Sequence, residues 1–256
     1  MLLSYVIIGL LFLFGIIIGS FLNVVILRGM KGEEIVRKPS YCPHCKEKLR
    51  WYGLIPIFSY LFLRGRCGAC HQPISPQYPL VEAIAGLAAV GIFYTNSAPV
   101  GLLSFASICV LIVLAVVDLR TMLLPDKFIL IVCATSISAA YLKNPAYPFS
   151  YALAAAGLGA GFLGIIWLVT RGQGIGLGDV KLMVPIGFLL GFGGTVTMLF
   201  LAFIIGGAVG IYLLVSKKAS AKTAVPFGPF LAGAAIICLL FPSLTVKFFT
   251  YLGWGI

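Results

Sequence analysis

A chain of 256 residues that is 61% hydrophobic and only 10% charged cannot cover a soluble surface, for which about 25% charged residues is usual. Its mean hydropathy of +1.11 makes lipid part of its solvent and excludes an ordinary soluble enzyme. The net charge of +11 points to basic loops on one side of a membrane and to anionic lipid, so nucleic acid is not expected as a partner.

The N-terminal run MLLSYVIIGLLFLFGIIIGSFLNVVIL lacks a basic leader and is too long for a signal-peptide core, so it is expected to stay as a first transmembrane helix. Hydropathy places further spans near 79–96, 100–118, 127–142, 150–170, 179–193, 196–216 and 227–241, about eight in all at roughly 20 residues each. The fold class expected is therefore an all-α polytopic membrane protein. Residues 1–27 are the first helix, 28–78 a polar insertion and 79–256 the main bundle. The apolar tail 243–256 is short and reads as interfacial. Gly15-xxx-Gly19, Gly157-xxx-Gly161 and Gly206-xxx-Gly210 are small-residue spacings suited to close helix packing.

Orientation follows from counting. With the N-terminus outside, sixteen of the eighteen Lys and Arg residues fall on inner loops, among them Arg37, Lys38, Arg50, Lys218 and Lys222; only Lys143 and Lys247 fall outside. That bias puts segment 28–78 in the cytoplasm.

Within that segment stand Cys42-Pro-His-Cys45 and Cys67-Gly-Ala-Cys70. Two C-x-x-C turns at this separation predict a zinc-ribbon-like site with Cys42, Cys45, Cys67 and Cys70 as ligands of a structural Zn2+. A disulfide pairing is disfavoured on the reducing side of the membrane. A four-thiolate site leaves no position for a catalytic water, so the metal should fold the segment rather than do chemistry.

The chain has three aspartates, Asp118, Asp126 and Asp179, each at the inner end of a predicted span. An ionisable group at membrane depth is a functional-site hypothesis by default. Gly176 and Gly178 precede Asp179, and such glycines are expected to supply positive φ and a close approach to another segment. Two carboxyls brought together at the membrane edge would share one proton and polarise a water, the chemistry of an aspartic protease. Singly, each has an ordinary reading. Asp126 follows Pro125 and suits a helix cap, Asp179 could cap a helix or pair with Lys181, and Asp118 could pair with Arg120. A proton-coupled transporter would spread ionisable groups across membrane depth; a non-catalytic secretion scaffold would need no aspartate at all.

Gly176-Leu177-Gly178-Asp179 resembles the G-x-G-D motif of intramembrane aspartyl proteases. Gly19-Ser20-Phe21-Leu22-Asn23, Leu49-Arg50-Trp51-Tyr52, Arg64-Gly65-Arg66-Cys67, Tyr78-Pro79-Leu80-Val81-Glu82 and Pro226-Phe227-Gly228-Pro229 add a likeness to the bacterial type IV prepilin peptidases. The resemblance implies an inner-membrane enzyme that cleaves the basic leader of prepilins or pseudopilins at the cytoplasmic face. It also implies methylation of the new N-terminus with S-adenosylmethionine. By motif match it makes Asp118 and Asp179 the catalytic pair and leaves Asp126 outside it. Glu82 is a candidate for the methyl-transfer step, although a charge near a helix start has a commoner cause.

Overall fold

The computed structural model describes residues 2–35, 40–42, 44–48, 51–143, 149–217 and 224–251. Arg37, Lys38, Arg50, Lys218, Lys222 and positions 252–256 of the tail lie outside the described residues. Among those described, the regular elements are helices: α1 Leu2–Lys31, α2 Phe58–Phe62, α3 Gln77–Thr95, α4 Ala98–Thr121, α5 Asp126–Lys143, α6 Phe149–Val169, α7 Leu177–Val215, α8 Gly228–Leu240 and α9 Ser243–Tyr251, with a short 3-10 turn at Trp51–Leu54. They fall into two compact units, Met1–Thr95 and Asn96–Ile256.

The predicted apolar segments are helical where they are described. Among the described residues, five helices are long and apolar enough to cross a membrane, with the kinked α7 taken as one, or up to six if the bent pair α8–α9, folded by 98°, is one span. The predicted sixth and seventh spans run on as α7, whose 39 residues are two helices joined at a kink. Gly191 breaks it with φ 69 and ψ −177, a conformation essentially reserved for glycine. The break lies close to the boundary expected between spans 179–193 and 196–216. The predicted eighth span has only 13 residues, about 20 Å of helix against a hydrocarbon core of about 30 Å.

In the first unit α1 lies along α3. A Cβ on Gly15 would meet the Ala85 carbonyl at 2.5 Å, and one on Gly19 the Glu82 Cα at 2.7 Å, so both glycines serve backbone contact as expected. The polar ends of the helices are tied as well. Asn23 donates to the carbonyls of Gly19 and Tyr78 and accepts from the Gln77 side chain. Buried Arg28 donates to the carbonyls of Glu34 and Ile35.

In the second unit α5, α6 and α8 pack against α7, and α4 packs on α5 and α8. The glycines that allow this are not all the expected ones. A Cβ on Gly157, Gly161 or Gly210 would meet nothing within 4 Å. Gly187 instead presses on the Ala156 backbone, and Gly159 on Met183.

Candidate functional site

The last turn of α4, the first residue of α5, the first turn of α7 and the start of α8 come together at one end of the second unit. Asp118 closes α4's apolar run and is 5% exposed; Asp179 stands in α7's first turn at 6%. Burying two carboxyls demands partners, and most are backbone amides. Asp118 Oδ2 accepts the Gly228 N–H at 3.0 Å, the first amide of α8. Helix N-termini leave such amides without intrahelical acceptors and favour negative charge. Asp179 Oδ2 accepts the Gly176 N–H at 3.1 Å and so caps its own helix, the ordinary reading being correct for that oxygen. Its other oxygen, Oδ1, is buried and has no partner among the described residues.

Gly228 is where the carboxyls meet. A Cβ there would stand 2.6 Å from Asp118 Oδ2 and 3.4 Å from Asp179 Oδ1. The two oxygens therefore lie no farther apart than those distances combined. Two buried carboxyls, each fixed by a backbone amide, face one another with one oxygen left bare. Such a pair can hold a proton and a water between its members.

The glycine loop works differently from expectation. Gly176 has φ −76, and neither it nor Gly178 is among the positive-φ glycines, which are Gly32, Gly65, Gly172 and Gly191 among the described residues. The close approach does hold. A Cβ on Gly178 would come within 3.0 Å of the Leu124 side chain, so the chain between α4 and α5 packs directly on α7's first turn. Asp126 opens α5 but pairs with Lys181 at 2.9 Å, both side chains being exposed. Lys181 is thus not the partner of Asp179, since neighbours two apart on a helix face different ways.

Nothing in the sequence marks Gly228 itself for this role. A backbone donor carries no side-chain signature; the available signal was Pro229, which marks a helix start and hence a set of free amides.

The first unit carries a second cluster. Cys42, Cys45, Cys67 and Cys70 place all their sulfurs within 4.8 Å of one another, and no disulfide joins them. The two turns are built alike. In each, the first cysteine's N–H donates to the carbonyl five residues on, and its carbonyl accepts from the residue four on: Cys42 with Glu47 and Lys46, Cys67 with Gln72 and His71. Lys46 and His71 take matching left-handed φ values of 58 and 55. Isolated bridges Tyr41–Lys48 and Arg66–Pro73 close both turns. The Cys42 and Cys70 sulfurs are 3.9 Å apart, close to the roughly 3.8 Å edge of a tetrahedron around an ion bonded to sulfur at about 2.3 Å. The donor set fits a metal ion. Amides of Cys70 and Ala69 aimed at the Cys67 sulfur lower that thiol to about 7, while, against the amide of Glu47, burial and the neighbouring thiols raise Cys45 to about 11, a conflict that a cation among the four sulfurs would relieve.

Glu82 is 6% exposed and lies in the second turn of α3, not at its first residues, so a helix-start charge does not account for it. Its Oε2 accepts the Ile57 N–H at 2.7 Å, and Ser20 hydrogen-bonds to it as well.

Two family models match: the bacterial peptidase A24 N-terminal domain over residues 13–96 and the type IV leader peptidase family over residues 105–211. The chain is 33% identical to a prepilin leader peptidase/N-methyltransferase of Bacillus subtilis (strain 168), over 96% of this chain and 99% of the relative. It is 34% identical to one of Aeromonas hydrophila, over 94% and 93%, and 33% identical to one of Pseudomonas putida, over 88% of each. No solved structure matches the chain. With near-complete coverage by relatives of one kind, and with both matched regions carrying the clusters described above, the chain belongs to the type IV leader peptidase family.

Proposed function

We propose that this chain is a prepilin leader peptidase and N-methyltransferase of the bacterial inner membrane, with Asp118 and Asp179 as its proteolytic pair. The observation that carries the reading is the meeting of both buried carboxyls at Gly228, with Asp179 Oδ1 unpartnered. Aspartic-protease chemistry asks for one proton shared between two such carboxyls, one member acting as acid and the other as base. Asp179 Oδ1 is the oxygen that takes this proton or holds the attacking water. The ionised partner draws a proton from that water as it attacks the scissile carbonyl, and the protonated partner supplies one to the departing amine. Gly228 N–H and Gly176 N–H keep the carboxyls oriented throughout.

The substrate class is a prepilin or pseudopilin, whose basic leader lies in the cytoplasm and whose apolar helix lies in the membrane. Its scissile bond then sits at the inner interface. Basic-loop asymmetry orients the N-terminus outside and the carboxyl pair at that same interface. The clustering of all three aspartates at one end of the unit favours this over a proton relay across the membrane. Zn2+ is the metal proposed for the four thiolates, holding segment 28–78 in shape. Methylation implies S-adenosylmethionine, which supplies the methyl group; Glu82 is retained as the candidate acid near the product amine. The proposed division of labour gives residues 1–27 and 28–78 to anchoring and metal binding, and 79–256 to the peptidase bundle.

The test is mass spectrometry of a prepilin co-expressed with the chain. The native chain is expected to remove the leader and add one methyl to the new N-terminus. Asp118→Asn and Asp179→Asn should each leave the leader in place. Processing by either variant at the native level would defeat the assignment.

A further inference from the structure

Helix α2 is five residues long and buries none of them. Phe58, Leu61 and Phe62 stand at i, i+3 and i+4, so they share one face, and they are 61%, 65% and 87% exposed. Leu54 and Ile55, just before, are 46% and 41% exposed. Arg64 and Arg66 follow and are exposed too. A contiguous apolar patch of this kind marks an interaction surface rather than a water-facing loop.

Its depth identifies what covers it. The amide that opens α2, Ile57 N–H, is bonded to Glu82 Oε2, and Glu82 is in the second turn of a 19-residue candidate span. At about 1.5 Å per residue, that is some 8 Å from the start of the span. Ile57 adopts φ 62 and ψ −52, an outlier for a β-branched residue; the bond to Glu82 holds the chain there against its backbone preference. The apolar face of α2 is therefore tethered near the level at which interfacial helices bury theirs, about 5–10 Å into the headgroup and acyl boundary.

From this tether and this face we infer that Leu54–Phe62 is an interfacial foot. It inserts into the leaflet that α3 enters, with Arg64 and Arg66 at the phosphates of anionic lipid. The foot fixes the second cysteine turn, which begins at Cys67, against the membrane surface. This does not depend on the reading of the aspartate pair.

The experiment uses the full chain, without substrate, in nanodiscs of phosphatidylethanolamine and phosphatidylglycerol. A photoreactive residue is placed as Phe62→p-benzoylphenylalanine and, as an exposed control on the cysteine turn, as Gln72→p-benzoylphenylalanine. After illumination, intact mass should show a lipid adduct several-fold more abundant at position 62 than at 72. Equal yields at the two positions would overturn the inference, as would crosslinking of position 62 to a second copy of the chain. So would a switch from lipid to pilin once a prepilin is added. A combined Phe58→Gln, Leu61→Gln and Phe62→Gln variant, which removes no buried side chain, should exchange amide hydrogens over 58–66 several-fold faster in nanodiscs. Unchanged exchange there would equally overturn it.

Discussion

At the scale of single residues, Gly228 is the position on which the aspartate pair turns. Its amide holds Asp118, and its missing Cβ leaves the space in which both carboxyls stand. Gly228→Ala would put a methyl 2.6 Å from Asp118 Oδ2 and push the carboxyl aside. A displacement of about 1 Å at reacting groups lowers rates by roughly a hundredfold. Prepilin cleavage should therefore fall on that order, while the detergent-solubilised chain loses no more than about 1–3 kcal/mol of stability to the overpacking. Native-level cleavage would remove Gly228 from the site. The carboxyls themselves were legible because a buried acid in so apolar a chain is expensive and so invites explanation. Gly228 was not, since its contribution is a backbone amide. Of the ordinary readings open for Asp179, the cap holds and the Lys181 pair does not: nearness in sequence says nothing about facing, and in the folded chain Lys181 of α7 reaches Asp126 of α5. Being exposed, that pair should be worth at most about 1 kcal/mol, and Lys181→Ala should shift stability by no more than this in a denaturant series.

Among the elements, α7 shows how far hydropathy reads. It divides the apolar run between 193 and 196, close to the kink at Gly191, but the dihedral that makes the kink is not written in the apolar pattern. Gly191→Ala must either strain a side chain at φ 69 or straighten the helix. Strain of this kind amounts to about 1–3 kcal/mol, so thermal unfolding in detergent should move down accordingly; an unchanged midpoint would mean that the break is not required by the packing. The cysteine turns lie at the other extreme of legibility. Spacing alone dictates tight turns that present their thiols together, and the two prove to be built to the same hydrogen-bond pattern. Cys67→Ser should abolish metal retention and loosen segment 28–78; because Ile57 of that segment holds Glu82, methylation should suffer more than cleavage. Equal loss of both activities would contradict the assignment of Glu82 to methyl transfer.

Across the whole molecule, two compact units carry two chemically distinct clusters, a thiol set in the first and a carboxyl pair in the second. In the thiol cluster the fold pulls both ways, lowering Cys67 to about 7 and raising Cys45 to about 11, so the pH dependence of the site is set by protons competing with the metal for four thiolates. Metal content after dialysis should accordingly drop on acidification below neutrality and hold on the alkaline side; retention unchanged at acid pH would argue against thiolate ligation. For the carboxyl pair the decisive measurement is prepilin cleavage by Asp118→Asn, Asp179→Asn and the double variant, each reconstituted in lipid, with methylation of a pre-cleaved pilin verifying the fold. The account predicts that each single change lowers cleavage by about 10²–10⁴-fold. It also predicts that the double variant is no worse than the singles, because groups acting as a unit are not additive, and that methylation persists. A single variant that still cleaves at the native rate, or losses that multiply in the double, would contradict it.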